Sequence, residues 1–289
     1  MWVPRQKRGP AWVEAEPERT DVVNITELQK KYSISHMDLT PVETHRMEGY
    51  PVDIPDDGGT VHVLLGGPAV GKTSLALYLS LREAMAGRYV FYMTWDWASQ
   101  FLGKRASEWI SRDTLQKQET FLFDDRGTVE SLCAVASILP KGSFIVIDYL
   151  QVFPILSLPA GYSGGVEGRC SYISELVQGL ARKYGHTFFC LGSMNRESMK
   201  GDPGISSGYG TSRIEYSADS VVVASRIENM NQHVLELAVK KNRWGLTQEI
   251  CCFPLCSLEK VESEQEDTER ETDPLLMFTE DAGGVYYDR

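Results

Sequence analysis

The stretch from Val61 to Leu79 limits what this chain can become more than any other: a short apolar run, Val61 to Leu65, meets a glycine-rich turn and then a helical pattern. The order is strand, loop, helix. Within it, Gly66-Gly67-Pro68-Ala69-Val70-Gly71-Lys72-Thr73, followed by Ser74, fits G-x-x-x-x-G-K-S/T. Glycines let successive backbone N–H groups turn inward on phosphate oxygens, and the N-terminus of the following helix adds its positive dipole end. Lys72 is expected to reach the β- and γ-phosphates of a nucleotide and Thr73 to offer its hydroxyl to Mg²⁺, while Pro68 stiffens the loop. A chance glycine-rich turn is the alternative, but the motif sits in the strand-to-helix context that it requires.

Downstream of Thr60, apolar strands alternate with helical patterns, as in a mostly parallel, twisted α/β sheet wrapped by helices on both faces. Strands are expected at Tyr89 to Thr94, Phe121 to Phe123, Phe144 to Asp148, Thr187 to Met194, Ser220 to Ser225, Val234 to Lys240 and Thr247 to Phe253, and helices at Lys72 to Ala86, Thr128 to Leu139 and Cys170 to Tyr184. Two polar loops, Pro154 to Gly168 and Glu197 to Ser212, interrupt this body. Phe144-Ile145-Val146-Ile147 reads as a strand buried on both faces, which brings Asp148 to the carboxyl edge of the sheet beside the phosphate loop. A carboxylate there suits the Mg²⁺ shell of an ATPase.

Residues 1–50 are read as an arm or linker, with a helix near Ile25 to Tyr32 capped by Asn24 and with Trp2 and Trp12 available for docking; 51–256 as the body; 257–289 as an acidic tail. The net charge of -11 argues against nucleic acid only until its distribution is considered. From Ser257 onward eleven acidic residues face Lys260, Arg270 and Arg289, which accounts for -8 and leaves residues 1–256 at -3. Pro274-Leu275-Leu276-Met277-Phe278 interrupts the tail as a docking peptide or a last core strand, and both remain open. Six cysteines, including Cys251, Cys252 and Cys256, lack the spacing of a disulfide framework or zinc set and suit a reducing cytoplasm. Neither an apolar membrane span nor a secretory leader is legible, so a cytoplasmic protein with no membrane partner is expected.

Past Asp148 the residues resemble a family. Asp148-Tyr149-Leu150-Gln151, Gly192-Ser193-Met194-Asn195-Arg196, Ile214-Glu215-Tyr216-Ser217-Ala218-Asp219 with a Val-rich strand and Arg226, and Lys241-Asn242-Arg243-Trp244-Gly245 follow in order the D-Y-L-Q, S-Q-L-N-R, I-E-x-x-A-D and K-N-R-x-G blocks of DnaB-type replicative helicases. The similarity spans about residues 55–255. It implies a RecA-like P-loop ATPase motor, a ring of usually six subunits with ATP and Mg²⁺ between neighbours, and single-stranded DNA in the central channel. It further implies that Lys241 and Arg243 reach across to the next subunit's γ-phosphate, where a guanidinium stabilises charge on the transferring phosphoryl. A solvent-exposed basic strand end is the alternative for this pair. A loader, a primase or a single-strand-binding protein are the partners that such a motor implies. Residues 1–50 are too short for the family's N-terminal helical domain, so a compact plasmid- or phage-type form is expected.

Three departures from the family pattern carry weight. Its catalytic Glu is matched by Asp96, one methylene shorter, in Thr94-Trp95-Asp96-Trp97. Its γ-phosphate-sensing Gln is matched by Ser193, and the R-E-S-G of its DNA loop by Tyr209-Gly210-Thr211-Ser212. Arg196, Lys200 and Arg213 remain as candidate phosphate contacts and Tyr209 as a candidate base-stacking ring. Fast DNA unwinding is therefore weighed against a slower ATP-dependent assembly switch or recombination mediator, with a small-molecule kinase as a weaker third reading.

Overall fold

The structure is a computed structural model, and it describes residues 41–194, 216–227, 234–247 and 250–254. The strands are β1 (Thr44–Arg46), β2 (Asp53–Pro55), β3 (Thr60–Gly66), β4 (Val90–Thr94), β5 (Phe121–Asp124), β6 (Phe144–Asp148), β7 (Thr187–Ser193), β8 (Ser220–Ile227), β9 (Val234–Asn242) and β10 (Ile250–Pro254). Helices are α1 (Lys72–Met85), α2 (Ser99–Ala106), α3 (Arg112–Lys117), α4 (Val129–Ile138) and α5 (Val166–Tyr184), with a 3₁₀ turn at Leu150–Val152.

Eight strands form one sheet in the order β10-β9-β8-β3-β7-β6-β4-β5, and β1 pairs with β2 in a separate hairpin. From β8 to β5 every pairing is parallel, while β8–β9 and β9–β10 are antiparallel. The mixed edge arises because β8, β9 and β10 follow one another by short connections, and a parallel return needs a long crossover.

All residues of β3 and β6 are buried, as a strand covered on both faces requires. Alternation decides which side each serves. Leu64, Tyr92, Val146 and Phe189 pack on one face with Leu75, Tyr78 and Leu79 of α1. Val63, Leu65, Ile145 and Ile147 pack on the other with Leu132 of α4 and Ile173 and Val177 of α5. Each buried Leu or Ile side chain contributes ~1.5–3 kcal/mol by leaving water, and the two faces together hold the strand ends in a fixed array.

Three local features differ from the sequence expectation. α2 and α3 occupy the β4–β5 connection, where no helix was expected; α2 buries only Leu102 and Ala106, too few for a visible period. α5 begins at Val166, a turn before Cys170, after Gly165 as N-cap. The β1–β2 hairpin packs on the body, with Met47, Tyr50, Val52 and Ile54 buried in the α1-side core, so core packing begins upstream of residue 51. Cys251 and Cys252 lie on β10 and are free thiols. Among the described residues no helix is long and apolar enough to cross a membrane. The expected Ile25 to Tyr32 helix, the Glu197 to Ser212 loop, Cys256 and the acidic tail lie outside the described residues.

Candidate functional site

The Gly66 to Thr73 loop joins the carboxyl end of β3 to α1, and its glycines answer two separate demands. Gly66 lies against β8: a Cβ there would sit 2.7 Å from the Ala224 carbonyl oxygen. Gly71 caps α1 at φ 115°, a left-handed conformation that glycine adopts without strain. Ala69 also takes a positive φ, 57°. The first turn of α1 carries no acidic side chain, so nothing on the helix neutralises the positive end of its dipole.

Lys72 folds back into the loop, its Nζ donating to Gly66 O at 2.9 Å and to Gly67 O at 2.7 Å. Burial lowers its pKa, and the negative charges of Asp148 and Asp96 oppose that shift. The ammonium is thus held where phosphates would replace the carbonyls as its acceptors.

Asp148 closes β6 with only 2% of its surface exposed. Burial pushes its pKa up to about 6, against the hydrogen bonds of Thr73 and Tyr92, which favour the charged form. The Tyr92 hydroxyl donates to Oδ2 at 3.1 Å. β4 and β6 pair in register, Thr94 opposite Asp148 and Tyr92 opposite Val146, which brings the phenol to the carboxylate. The Thr73–Asp148 contact is the donor pair a Mg²⁺ shell would use. Among the described residues no cluster of three or more His, Cys, Asp or Glu forms a cage. Two protein donors, completed by substrate phosphates and water, are what Mg²⁺ takes, and a buried carboxylate gains from the cation's charge.

Asp96 is exposed, yet it hangs from a fixed support. The Trp95 N–H donates to Asp148 O at 3.1 Å, its indole N–H to Gly127 O at 3.0 Å, and its ring lies 4.4 Å from that of Phe153. The Asp96 N–H donates to Thr94 Oγ1 at 3.3 Å. The charge of Asp96 acts on both Lys72 and Asp148, so it belongs to the same electrostatic site. Ser193, at the end of β7, is bracketed by the Gln151 amide, which donates to Ser193 O at 3.1 Å and accepts from Ser193 N at 3.3 Å.

Lys241 and Arg243 stand at the other end of the sheet. β9 runs antiparallel, so Asn242 pairs with Ser220, and Ser220 pairs with His62 near the start of β3, whereas the loop follows the end of β3. Along β3, the steps from His62 to the start of the loop at Gly66 separate the two levels by roughly 13 Å at about 3.3 Å per residue. Lys241 Nζ donates to Tyr216 O at 2.8 Å, and the Arg243 guanidinium pairs with Asp219 Oδ1 at 2.9 Å. Burial and the neighbouring Arg243 lower the Lys241 pKa. One chain therefore does not bring these cations to its own loop. The candidate DNA contacts Arg196, Lys200, Tyr209 and Arg213 lie outside the described residues.

Two contacts of the site were missed in the sequence: Tyr92 on Asp148, and Arg226, whose Nε donates to Val70 O at 3.3 Å. Tyr92 falls within the strand expected at Tyr89 to Thr94, but no signal identified which strand lay beside it.

No protein-family model matches the chain. It is 27% identical over 197 residues to the DNA repair protein RadA of Streptococcus pneumoniae, an alignment that covers 68% of this chain and 42% of that relative. The chain thus spans less than half the length of this curated relative. Among solved structures, a DnaB-like replicative helicase superposes with a TM-score of 0.56 at 16% identity, covering 68% of this chain and 55% of that one. The RadB recombinase superposes with a TM-score of 0.52 at 14% identity, covering 72% and 93%. With its parallel sheet, phosphate loop and antiparallel edge, the chain has a RecA-like α/β fold.

Proposed function

We propose that the chain is the motor of a ring-forming, DNA-dependent ATPase that uses ATP with Mg²⁺ to translocate on single-stranded DNA and unwind duplex during replication of a phage, plasmid or other mobile element. The observation that carries this reading is the division of the site between two ends of one sheet. Gly66 to Thr73, Asp148 and Asp96 gather at the carboxyl edge, while Lys241 and Arg243 stand toward the opposite ends of the strands, bonded to Tyr216 and Asp219, and need a neighbour's nucleotide to act on. Such a site is completed only by assembly, which ties turnover to the ring. Bound Mg²⁺ would neutralise phosphate charge beside Thr73 and Asp148. Lys72 would hold the terminal phosphates, and Asp96 would orient the attacking water. The ordered helicase-like blocks and the likeness to a DnaB-like helicase support this reading over a kinase. A cytoplasmic hexamer that works with a loader, primase or single-strand-binding protein accords with it. The test is ATP turnover with and without single-stranded DNA, combined with displacement of a labelled strand. Turnover rising at least tenfold with DNA, with strand release, is expected, and absence of both sinks the helicase reading.

A second reading rests on specific residues. Asp96 in place of Glu and Ser193 in place of Gln weaken water activation and phosphate sensing respectively, and RadA and RadB are among the proteins this chain resembles. Under it, ATP sets assembly and partner binding as a recombination-type mediator. Asp96→Glu separates the two. A motor keeps or gains turnover, whereas a switch loses its long-lived ATP-bound assembly, read by light scattering after a nucleotide chase.

A further inference from the structure

We propose that Asp219 is the positioning residue for the trans-acting Arg243: it clamps this arginine to the foot of the same strand whose far end carries the phosphate loop. The proposal rests on the reading of Arg243 as a group that serves a neighbouring subunit's nucleotide. Its consequence is that a subunit's own phosphate loop and the cation it presents to its neighbour are joined through one strand.

Asp219 precedes β8 and is nearly buried, with 6% of its surface exposed. It bonds in two directions, donating and accepting toward one and accepting twice from the other. Toward β3, its N–H donates to Val61 O at 2.7 Å and its Oδ2 accepts the Val61 N–H at 2.8 Å. Toward Arg243, its carbonyl accepts the Arg243 N–H at 3.0 Å and its Oδ1 takes Nη1 at 2.9 Å. Both carboxylate oxygens and both backbone groups are thereby engaged, half on the loop-bearing strand and half on the arginine. The next residue reinforces the foot. The Ser220 hydroxyl bonds His62 Nδ1 at 2.7 Å, and His62 Nε2 meets the Thr60 hydroxyl at 3.0 Å.

The arginine itself stays reachable: its side chain is 41% exposed against 9% for that of Asp219. It lines an open cavity of about 580 Å³ with Gln178, Arg182 and Tyr216. A flexible guanidinium held at Nη1 keeps further N–H donors of its planar fork for a phosphate, and its orientation is fixed before the neighbour arrives. Asparagine at 219 retains an oxygen for the Val61 N–H but turns an NH₂ toward the guanidinium. The substitution therefore keeps the strand contact and removes the clamp.

The test is directional complementation. Lys72→Ala and Arg243→Ala chains are mixed, so that some interfaces join an intact loop to an intact arginine, and turnover is expected to recover. Asp219→Asn added to the Lys72→Ala chain, the arginine donor, is expected to cut the recovered kcat at least tenfold with KM within twofold. Added to the Arg243→Ala chain, the loop owner, it is expected to leave the recovered kcat within twofold. Equal loss in both placements, loss only in the loop owner, or no loss in either overturns the positioning role. Failure of the parent mixture to recover overturns the trans reading itself, and the proposal with it. Asp219→Asn in an otherwise unaltered chain gives a second measure: kcat falls about tenfold while nucleotide affinity stays within twofold, and parallel loss of both overturns the proposal.

Discussion

Asp148 carries a conflict that a cation would resolve. Burial, and less strongly the charge of Asp96, disfavours its charged form, while Thr73 and Tyr92 are arranged to hold it. Asp148→Asn keeps the size and one acceptor oxygen, yet removes the charge that Mg²⁺ needs. Mg²⁺-dependent ATP turnover should fall at least 100-fold, about 2.7 kcal/mol at 1.36 kcal/mol per tenfold. The melting temperature of the nucleotide-free protein should hold or rise, since a desolvated carboxylate is gone. Phosphate release and scanning fluorimetry on one preparation check both; a melting point lowered by several degrees would make Asp148 a structural residue instead. Lys72, Thr73 and Asp148 were legible in the sequence because each comes with its own local context, a loop before a helix or the end of an apolar strand. The Tyr92–Asp148, Arg226–Val70 and Val61–Asp219 contacts were not, since they join residues 56, 156 and 158 positions apart and depend on strand order. A single chain does not announce which strands are neighbours.

The β1–β2 hairpin shows how an element of 3-residue strands can be real without being readable. Such strands have no visible period, and what fixes this one is tertiary: Met47, Tyr50, Val52 and Ile54 are buried in the core, and a charge network adds to their hold. His45 bonds Asp56 and, at 3.2 Å, Glu83 near the C-terminus of α1; Glu83 also pairs with Arg88 at 2.9 Å. The hydrogen bond to Glu83 raises the His45 pKa above 6.5, helped by Asp56 and opposed by burial and by Arg88. Burial would raise Glu83, but the hydrogen bonds from His45 and Arg88 outweigh it and bring its pKa below 4.5. For His45 the folded value is the higher one, so its contribution is complete below pH 6.5 and is lost as pH rises through the folded value. For Glu83 the folded value is the lower one, so its contribution is complete above pH 4.5 and is lost as pH falls through the folded value. Hairpin docking is therefore strongest between these limits. Urea unfolding should show stability declining from about pH 6.5 upward by less than about 1 kcal/mol, His45 being partly exposed, and His45→Ala should flatten that slope. An unchanged slope would remove His45 from the network. α2 was illegible for a related reason, since most of its side chains face outward and Gly103 interrupts its pattern. The long, doubly covered strands β3 and β6 were legible because burial on both faces leaves a continuous apolar run.

Across the whole molecule, the two halves of the proposed site point in opposite directions along the sheet. A two-fold pair could join loop to arginine twice and stop at two subunits, whereas head-to-tail contacts join them once per interface and close into rings or run on as filaments; the ring reading takes the second arrangement. Charge then bears on what a ring can hold. Residues 1–256 carry -3 and residues 257–289 carry -8, so each added subunit brings to the assembly a segment that repels a polyanion. Repulsion of this kind is long-ranged at low ionic strength and fades as the screening length falls, from ~30 Å at 0.01 M to ~10 Å at 0.1 M. Phosphate contacts made by the body weaken with salt as well, because binding releases counterions. Removing 257–289 should therefore tighten single-stranded DNA binding severalfold at 20 mM salt and hardly at all at 200 mM, so the two affinity curves converge as salt rises. Fluorescence anisotropy with a labelled oligonucleotide, full-length chain against the shortened one at both salts, decides it. Equal affinity at low salt would mean that the tail's charge lies outside the field the DNA experiences, and a gap that persists at high salt would mean that the tail competes by contact rather than by charge.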